Sequence, residues 1–118
     1  MYACDDSATA SHWQRLPSRD QVDAAADSFR MLADPTRLQM LWLLCGGDFD
    51  VTTLATTVGI ARPAISQHLA KLRLAGLVST HREGRRAVYR ARGAHVRRLL
   101  SEALRAAEHR TNGLPDHD

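Results

Sequence analysis

The chain has 118 residues, 44% of them hydrophobic, which suits one globular domain of modest size. No stretch approaches the roughly 18 apolar residues of a membrane span. The N-terminus carries Cys4, Asp5 and Asp6 where a secretory signal would be basic and then apolar, and two cysteines make no disulfide framework, so a cytoplasmic protein is expected. The net charge of +3 conceals an asymmetry: residues 1–60 hold 4 Lys+Arg against 8 Asp+Glu, and residues 61–118 hold 12 against 5. From Arg62 to Arg98 ten basic residues meet a single acid, Glu83, a footprint suited to nucleic acid.

Three segments are expected: a mobile N-terminal arm over 1–17, a folded domain over 18–110 and a C-terminal tail over 111–118. Ser18 with Gln21 reads as a capping box, and Val22, Ala25, Ala26, Phe29 and Leu32 trace a first helix. Asp34-Pro35 restarts the chain as N-cap and first helical position. The second helix, Pro35 to about Cys45, is Leu-rich, carries Trp42 and is expected to be buried nearly all round; Gly46-Gly47 ends it. Val51 to Val58 makes a short third helix closed by Gly59. About three residues then lead into a fourth helix with Pro63 in its first turn, the spacing of a helix-turn-helix.

In that fourth helix Ile65, Leu69 and Leu72 repeat at i, i+4 and i+7, so one stripe faces the core. At about 100° per residue, Gln67, Ala70 and Leu74 point away from the stripe, with Ser66 and Lys71 on its flanks. The outward side is mostly small or hydrogen-bonding, as a helix entering the major groove requires. Gly76 stops the helix, and Leu77 to Arg90 reads as a charged hairpin about a Glu83-Gly84 turn. A last helix runs from about Ala94 to Arg110, with Val96, Leu99, Leu100, Ala103, Leu104 and Ala107 as its apolar stripe. The fold class is mainly α with a small β-hairpin, ordered α-α-α-α-β-β-α, a winged helix-turn-helix.

Met31-Leu32-Ala33-Asp34-Pro35-Thr36-Arg37-Leu38, Ile65-Ser66-Gln67-His68-Leu69-Ala70-Lys71-Leu72, Gly76-Leu77-Val78 and Arg82-Glu83-Gly84-Arg85 together resemble the ArsR/SmtB repressors over roughly residues 20–110. The resemblance implies a homodimer built on the first and last helices. It also implies DNA contact through the fourth helix and the wing, and release from the operator when an inducer, often a metal ion, binds. It implies no enzymatic activity, and no nucleophile elbow, phosphate loop or paired-carboxylate pattern is present.

The DNA-contact candidates are Arg62, Ser66, Gln67, His68 and Lys71 on the helix and Arg82, Arg85 and Arg86 on the wing. Gln67 is aimed at a base edge, since Gln pairs bidentately with adenine, whereas Arg62 and Lys71 suit phosphates. His68 lies about 60° from the core stripe, which leaves a half-buried structural role open beside contact. A symmetric dimer calls for an inverted-repeat operator in double-stranded DNA.

The metal candidates are His95, Glu108, His109 and His117. Fourteen residues separate His95 from His109, roughly 21 Å along one helix, yet the two fall within about 40° on one face. They cannot share an ion within one chain, but they can across an antiparallel pair of last helices. Glu108 sits about 140° from His95 and joins only where the helix end turns. His12, His68 and His81 have no partners at ligand spacing and are assigned no metal. The family's usual zinc site has Asp two residues before the first histidine and a second histidine eleven residues after it. Gly93 and Ala106 stand there instead. The remaining set resembles the KmtR/NmtR-type nickel and cobalt sensors, and its nitrogen and oxygen donors suit nickel or cobalt, with zinc open. Two rivals are a repressor gated by thiol oxidation at Cys4 or Cys45 or by nothing, and a winged helix used for protein–protein contact.

Overall fold

The computed structural model describes residues 15–113. Most of the expected arm, with Cys4 and His12, and the tail from Leu114 onward, with His117, therefore lie outside the described residues. The element order is α1 (Arg19–Leu32), α2 (Pro35–Gly46), β1 (Phe49–Asp50), α3 (Val51–Val58), α4 (Arg62–Leu74), β2 (Val78–Glu83), β3 (Arg86–Ala91) and α5 (Gly93–Thr111).

Helices α1, α2 and α3 start where a side chain supplies an acceptor for their first N–H groups. The Ser18 hydroxyl accepts from Gln21 N, and the Gln21 side chain reaches back to Ser18 N, completing the capping box of α1. Asp34 caps α2 by accepting from Thr36 N at 2.8 Å and Arg37 N at 3.2 Å. Asp50 caps α3 by accepting from Thr53 N at 2.8 Å. These bonds, first that from Arg37 N for Asp34 and that from Thr53 N for Asp50, hold both carboxyl groups below their ordinary value of 3.8.

The core joins Met40, Leu41 and Leu44 of α2, Leu54 and Ala55 of α3, Ile65, Leu69 and Leu72 of α4, Leu77 and Val78 at the wing base, and Val96 and Leu100 of α5. Burying a side chain such as Leu69 contributes about 1.5–3 kcal/mol, so the stripe Ile65–Leu69–Leu72 fixes how α4 rolls. The polar residues between those positions are thereby held outward.

Three expectations need correction. The second helix is not buried nearly all round, because Trp42 is 50% exposed beside an open apolar groove with Leu38, Leu43 and Leu104. The sheet has a third strand: β1 pairs antiparallel with β3 through Phe49↔Tyr89 and Asp50↔Val88, giving the order β1-β3-β2. The element order is therefore α-α-β-α-α-β-β-α. The hairpin turn falls one residue later than expected, at Gly84-Arg85, because Glu83↔Arg86 closes the ladder. Gly84 takes φ 64° at the first turn position while no non-glycine residue among those described has positive φ, as a type II′ hairpin turn requires.

Helix α1 fully buries no residue, and Val22 and Phe29 stand exposed along it. Its last turn, with Met31 and Leu32, packs against the core, where the Arg37 guanidinium donates to Met31 O at 2.8 Å. No helix among the described residues is long and apolar enough to cross a membrane.

Candidate nucleic-acid interface and metal ligands

Gly59, Ile60 and Ala61 separate α3 from α4, and both Gly59 N and Ile60 N donate to Ala55 O, so the turn is short and closed. Helix α4 opens on Ala61, which offers no side-chain cap, leaving its first-turn N–H groups for an anion beside the exposed Arg62. Arg62, Pro63 and Ser66 line a shallow hollow with Val51 of α3. Gln67 is exposed on the side away from Ile65 and Leu69, and Ser66 and Lys71 are exposed on the flanks, as the helical spacing predicts. Among the described residues, the side chains of Arg62, Ser66, Gln67 and Lys71 make no hydrogen bond or ion pair within the chain, unlike Arg82, Arg86 and Arg90 of the wing.

His68 is placed differently from its neighbours. It is half-buried, and its Nδ1 is enclosed without a hydrogen-bond partner. It lies near enough to Asp34 to help stabilise that carboxylate. This placement favours the structural side of the two readings of His68.

On the wing, Arg82 Nη2 donates to Arg85 O at 3.2 Å across the turn. Arg86 Nη1 donates to Asp50 Oδ2 at 2.9 Å, and its Nη2 reaches Glu83 Oε1 at 3.5 Å. Arg90 Nη2 donates to Asp48 Oδ2 at 2.7 Å. Arg85, at the tip, has its guanidinium unengaged among the described residues. Sequence reasoning missed the pairs Asp50–Arg86 and Asp48–Arg90, because residues 36 and 42 positions apart meet only once β1 has joined β3.

The ligand candidates on α5 sit on one uninterrupted helix from Gly93 to Thr111. His95 and Glu108 are exposed and His109 is half-buried. The helix is continuous between His95 and His109, which keeps them roughly 21 Å apart. One chain therefore brings neither histidine to the other. The donor set, two imidazoles and a carboxylate, fits a borderline divalent cation. The His95 Nδ1 accepts from Arg98 Nη2 at 3.3 Å, a contact that must release before the ring can bind a metal through Nε2 with its proton on Nδ1. Gly93, where the family's zinc site has Asp, takes φ 79° at the start of α5, a conformation that disfavours any residue with a Cβ. One further tie joins α5 to α2: Arg97 Nη2 donates to Cys45 O at 2.7 Å, placing a cation at the C-terminal end of α2. Burial pushes the Cys45 thiol up, against the smaller opposing effect of Arg97.

A helix presented outward after a three-residue turn, followed by a basic hairpin, defines a winged helix-turn-helix DNA-binding protein. The family described as "Bacterial regulatory protein, arsR family" matches residues 34–80, from the cap of α2 into β2. The chain is 49% identical over 98 residues to the HTH-type transcriptional regulator KmtR of Mycobacterium tuberculosis (strain ATCC 25618 / H37Rv), covering 83% of this chain and 75% of that protein. It is 42% identical over 91 residues to the HTH-type transcriptional regulator NmtR of the same organism, covering 77% and 76%. The solution structure of the homodimeric winged helix-turn-helix DNA-binding domain of Mb0332 from Mycobacterium bovis, a possible ArsR-family regulator, superposes with a TM-score of 0.74 at 32% identity, covering 86% of this chain and 97% of that one. This chain belongs to the ArsR family of bacterial transcriptional regulators, and it is not an enzyme.

Proposed function

We propose that the protein is a cytoplasmic, metal-responsive transcriptional repressor that binds an inverted-repeat operator as a homodimer and leaves it when a divalent ion binds, nickel or cobalt in preference to zinc. Gln67 and Ser66 read base edges in the major groove, Arg62 and Lys71 hold phosphates, and Arg82, Arg85 and Arg86 lie along the backbone beside the minor groove. His68 stands next to this set and orients α4 more than it touches DNA. His95 of one protomer, with Glu108, His109 and the tail residue His117 of the other, forms each of two symmetry-related metal sites.

The observation that carries this reading is the pair of histidines at opposite ends of one face of α5. They have no common ion within a chain and acquire one when two α5 helices lie antiparallel. The exposed apolar residues Val22 and Phe29 of α1 and Leu99 of α5 supply the apolar surface such a pairing covers. An ion bridging two chains fixes the spacing of the two α4 helices, so metal and operator oppose each other with one coupling free energy, equal in both directions. A thiol-gated alternative has less support, since a thiol whose ionisation is suppressed by burial is a poor nucleophile.

The test is binding to a duplex selected from random sequence by the metal-free protein. Nickel or cobalt should weaken the wild-type complex by about 5–150-fold, the usual range of such coupling, and should leave His95→Ala on the DNA. Equal release of wild type and variant removes the assigned site.

A further inference from the structure

The face of the sheet turned away from the core holds a second group of side chains of the metal-ligating type. Val78 packs in the core, and His81, an odd number of positions along β2, points to the opposite face, as does Glu83 two residues on. On that face His81 lies opposite Val88 and Glu83 opposite Arg86. Asp48, one residue before β1, approaches from the other side of β3 and is joined to it through Arg90. A carboxylate oxygen of Asp48, a ring nitrogen of His81 and a carboxylate oxygen of Glu83 all lie within 4.8 Å of one another. Val88, the cross-strand partner of His81 on this face, is only 2% exposed yet outside the main core cluster.

We propose that Asp48, His81 and Glu83 form a divalent-cation site on the wing, separate from the α5 ligands. Donors about 2.1 Å from an ion stand at most about 4.2 Å apart. Three donors already within 4.8 Å therefore need only side-chain rotation to converge. One imidazole and two carboxylates suit a borderline or hard ion such as zinc, cobalt, nickel or manganese. The buried Val88 beside His81 keeps water from that side of the ring, which favours its bond to the ion. The groups now facing these ligands are the guanidiniums of Arg90, on Asp48, and Arg86, at 3.5 Å from Glu83, with His81 Nε2 at 3.1 Å from Glu83 Oε2. Exposed pairs of this kind are worth about 1 kcal/mol or less, so a dication displaces them. It takes over two carboxylates from two arginines and leaves Arg86 and Arg90 with more of their positive charge unopposed. Sequence spacing alone shows His81 and Glu83 on one face; the third ligand arrives only with β1, which is why His81 was assigned no metal.

The experiment uses the full chain carrying His95→Ala and His109→Ala, so the proposed α5 site is absent and its correctness does not affect the result. Cobalt(II) is titrated and followed by visible absorption. One cobalt per chain is expected to remain, and adding His81→Ala or Glu83→Gln should each weaken it about tenfold or more. Glu83→Gln retains the side-chain shape, so a folded protein reports on the site even should His81→Ala disturb the hairpin. Absence of cobalt binding at millimolar metal, or binding that neither substitution changes, overturns the proposal.

Discussion

Helix α4 and the wing present positive charge in opposite manners. On α4, Arg62 and Lys71 extend into solvent with no partner among the described residues. On the wing, Arg82 is tied to the Arg85 carbonyl, Arg86 to Asp50 and Glu83, and Arg90 to Asp48. A free side chain loses rotamer freedom when it meets DNA but brings its full charge. An anchored arginine is already in position, yet a neighbouring carboxylate cancels part of its field and releases fewer counterions. In the proposed complex, the helix discriminates after ordering, and the wing lies against the backbone without strong pull. Among the described wing arginines, only Arg85, at the tip, combines exposure with an unengaged guanidinium.

That contrast can be broken at its root by Leu69→Ala, which removes a side chain 1% exposed at the centre of the α4 stripe. A loss of about 2–5 kcal/mol is expected in urea unfolding, the range for a buried leucine truncated to alanine. A loss near zero would mean that the core does not fix the roll of α4. Next in size is Gln67→Ala, which should cost about 1–3 kcal/mol on the selected duplex and nothing on a scrambled one, measured by fluorescence anisotropy. Equal losses on both would place Gln67 among the phosphate contacts. Smaller again is the difference between two arginines. Arg85→Ala should lower the slope of log K against log salt by about one unit, and Arg86→Ala by clearly less, because Asp50 already opposes that charge. Asp50→Asn, which keeps an N-cap acceptor, should raise the slope, and identical slopes for Arg85→Ala and Arg86→Ala would erase the distinction.

The smallest effect is the response of the fold to acid. Asp34 and Asp50 have folded-state values below 3.8, so the native state binds fewer protons than the unfolded chain across that window. Their stabilising contribution is fully present above the ordinary carboxylate value and is lost as pH falls through it to the lower folded value. The unfolding midpoint should therefore drop in that acid range, and Asp34→Asn should flatten the drop. An unchanged profile would mean that this cap contributes little.

Much of this architecture is written in short stretches of chain. Ser18 with Gln21, Asp34-Pro35, Gly59 and Gly76 mark helix ends through bonds made within a few residues, and a single sequence carries such information. The exposed side of α4 follows from the period of Ile65, Leu69 and Leu72. Strand β1 was illegible because two residues show no alternation and owe their extended form to Tyr89 and Val88, far along the chain. The hairpin turn was misplaced by one residue because Glu83-Gly84 and Gly84-Arg85 are both acceptable turn pairs, and only the cross-strand pair Glu83↔Arg86 decides between them. For the same reason the acids that hold the wing arginines could not be read in advance. Of the candidate metal ligands, His95, Glu108 and His109 on α5 have a described position, while His117 lies outside the described residues.

Helix α1 closes its own first turn with a capping box but fully buries no side chain against the rest of its chain, and its apolar packing on the core comes from Met31 and Leu32 in the last turn. Fourteen residues of helix with so little support depend on company. In the proposed dimer their order becomes a second-order quantity, set by how many copies the cell contains. Dilution should unravel this segment from its Arg19 end well before the remainder melts, so scarcity would alter the regulator's shape as well as its occupancy of any promoter.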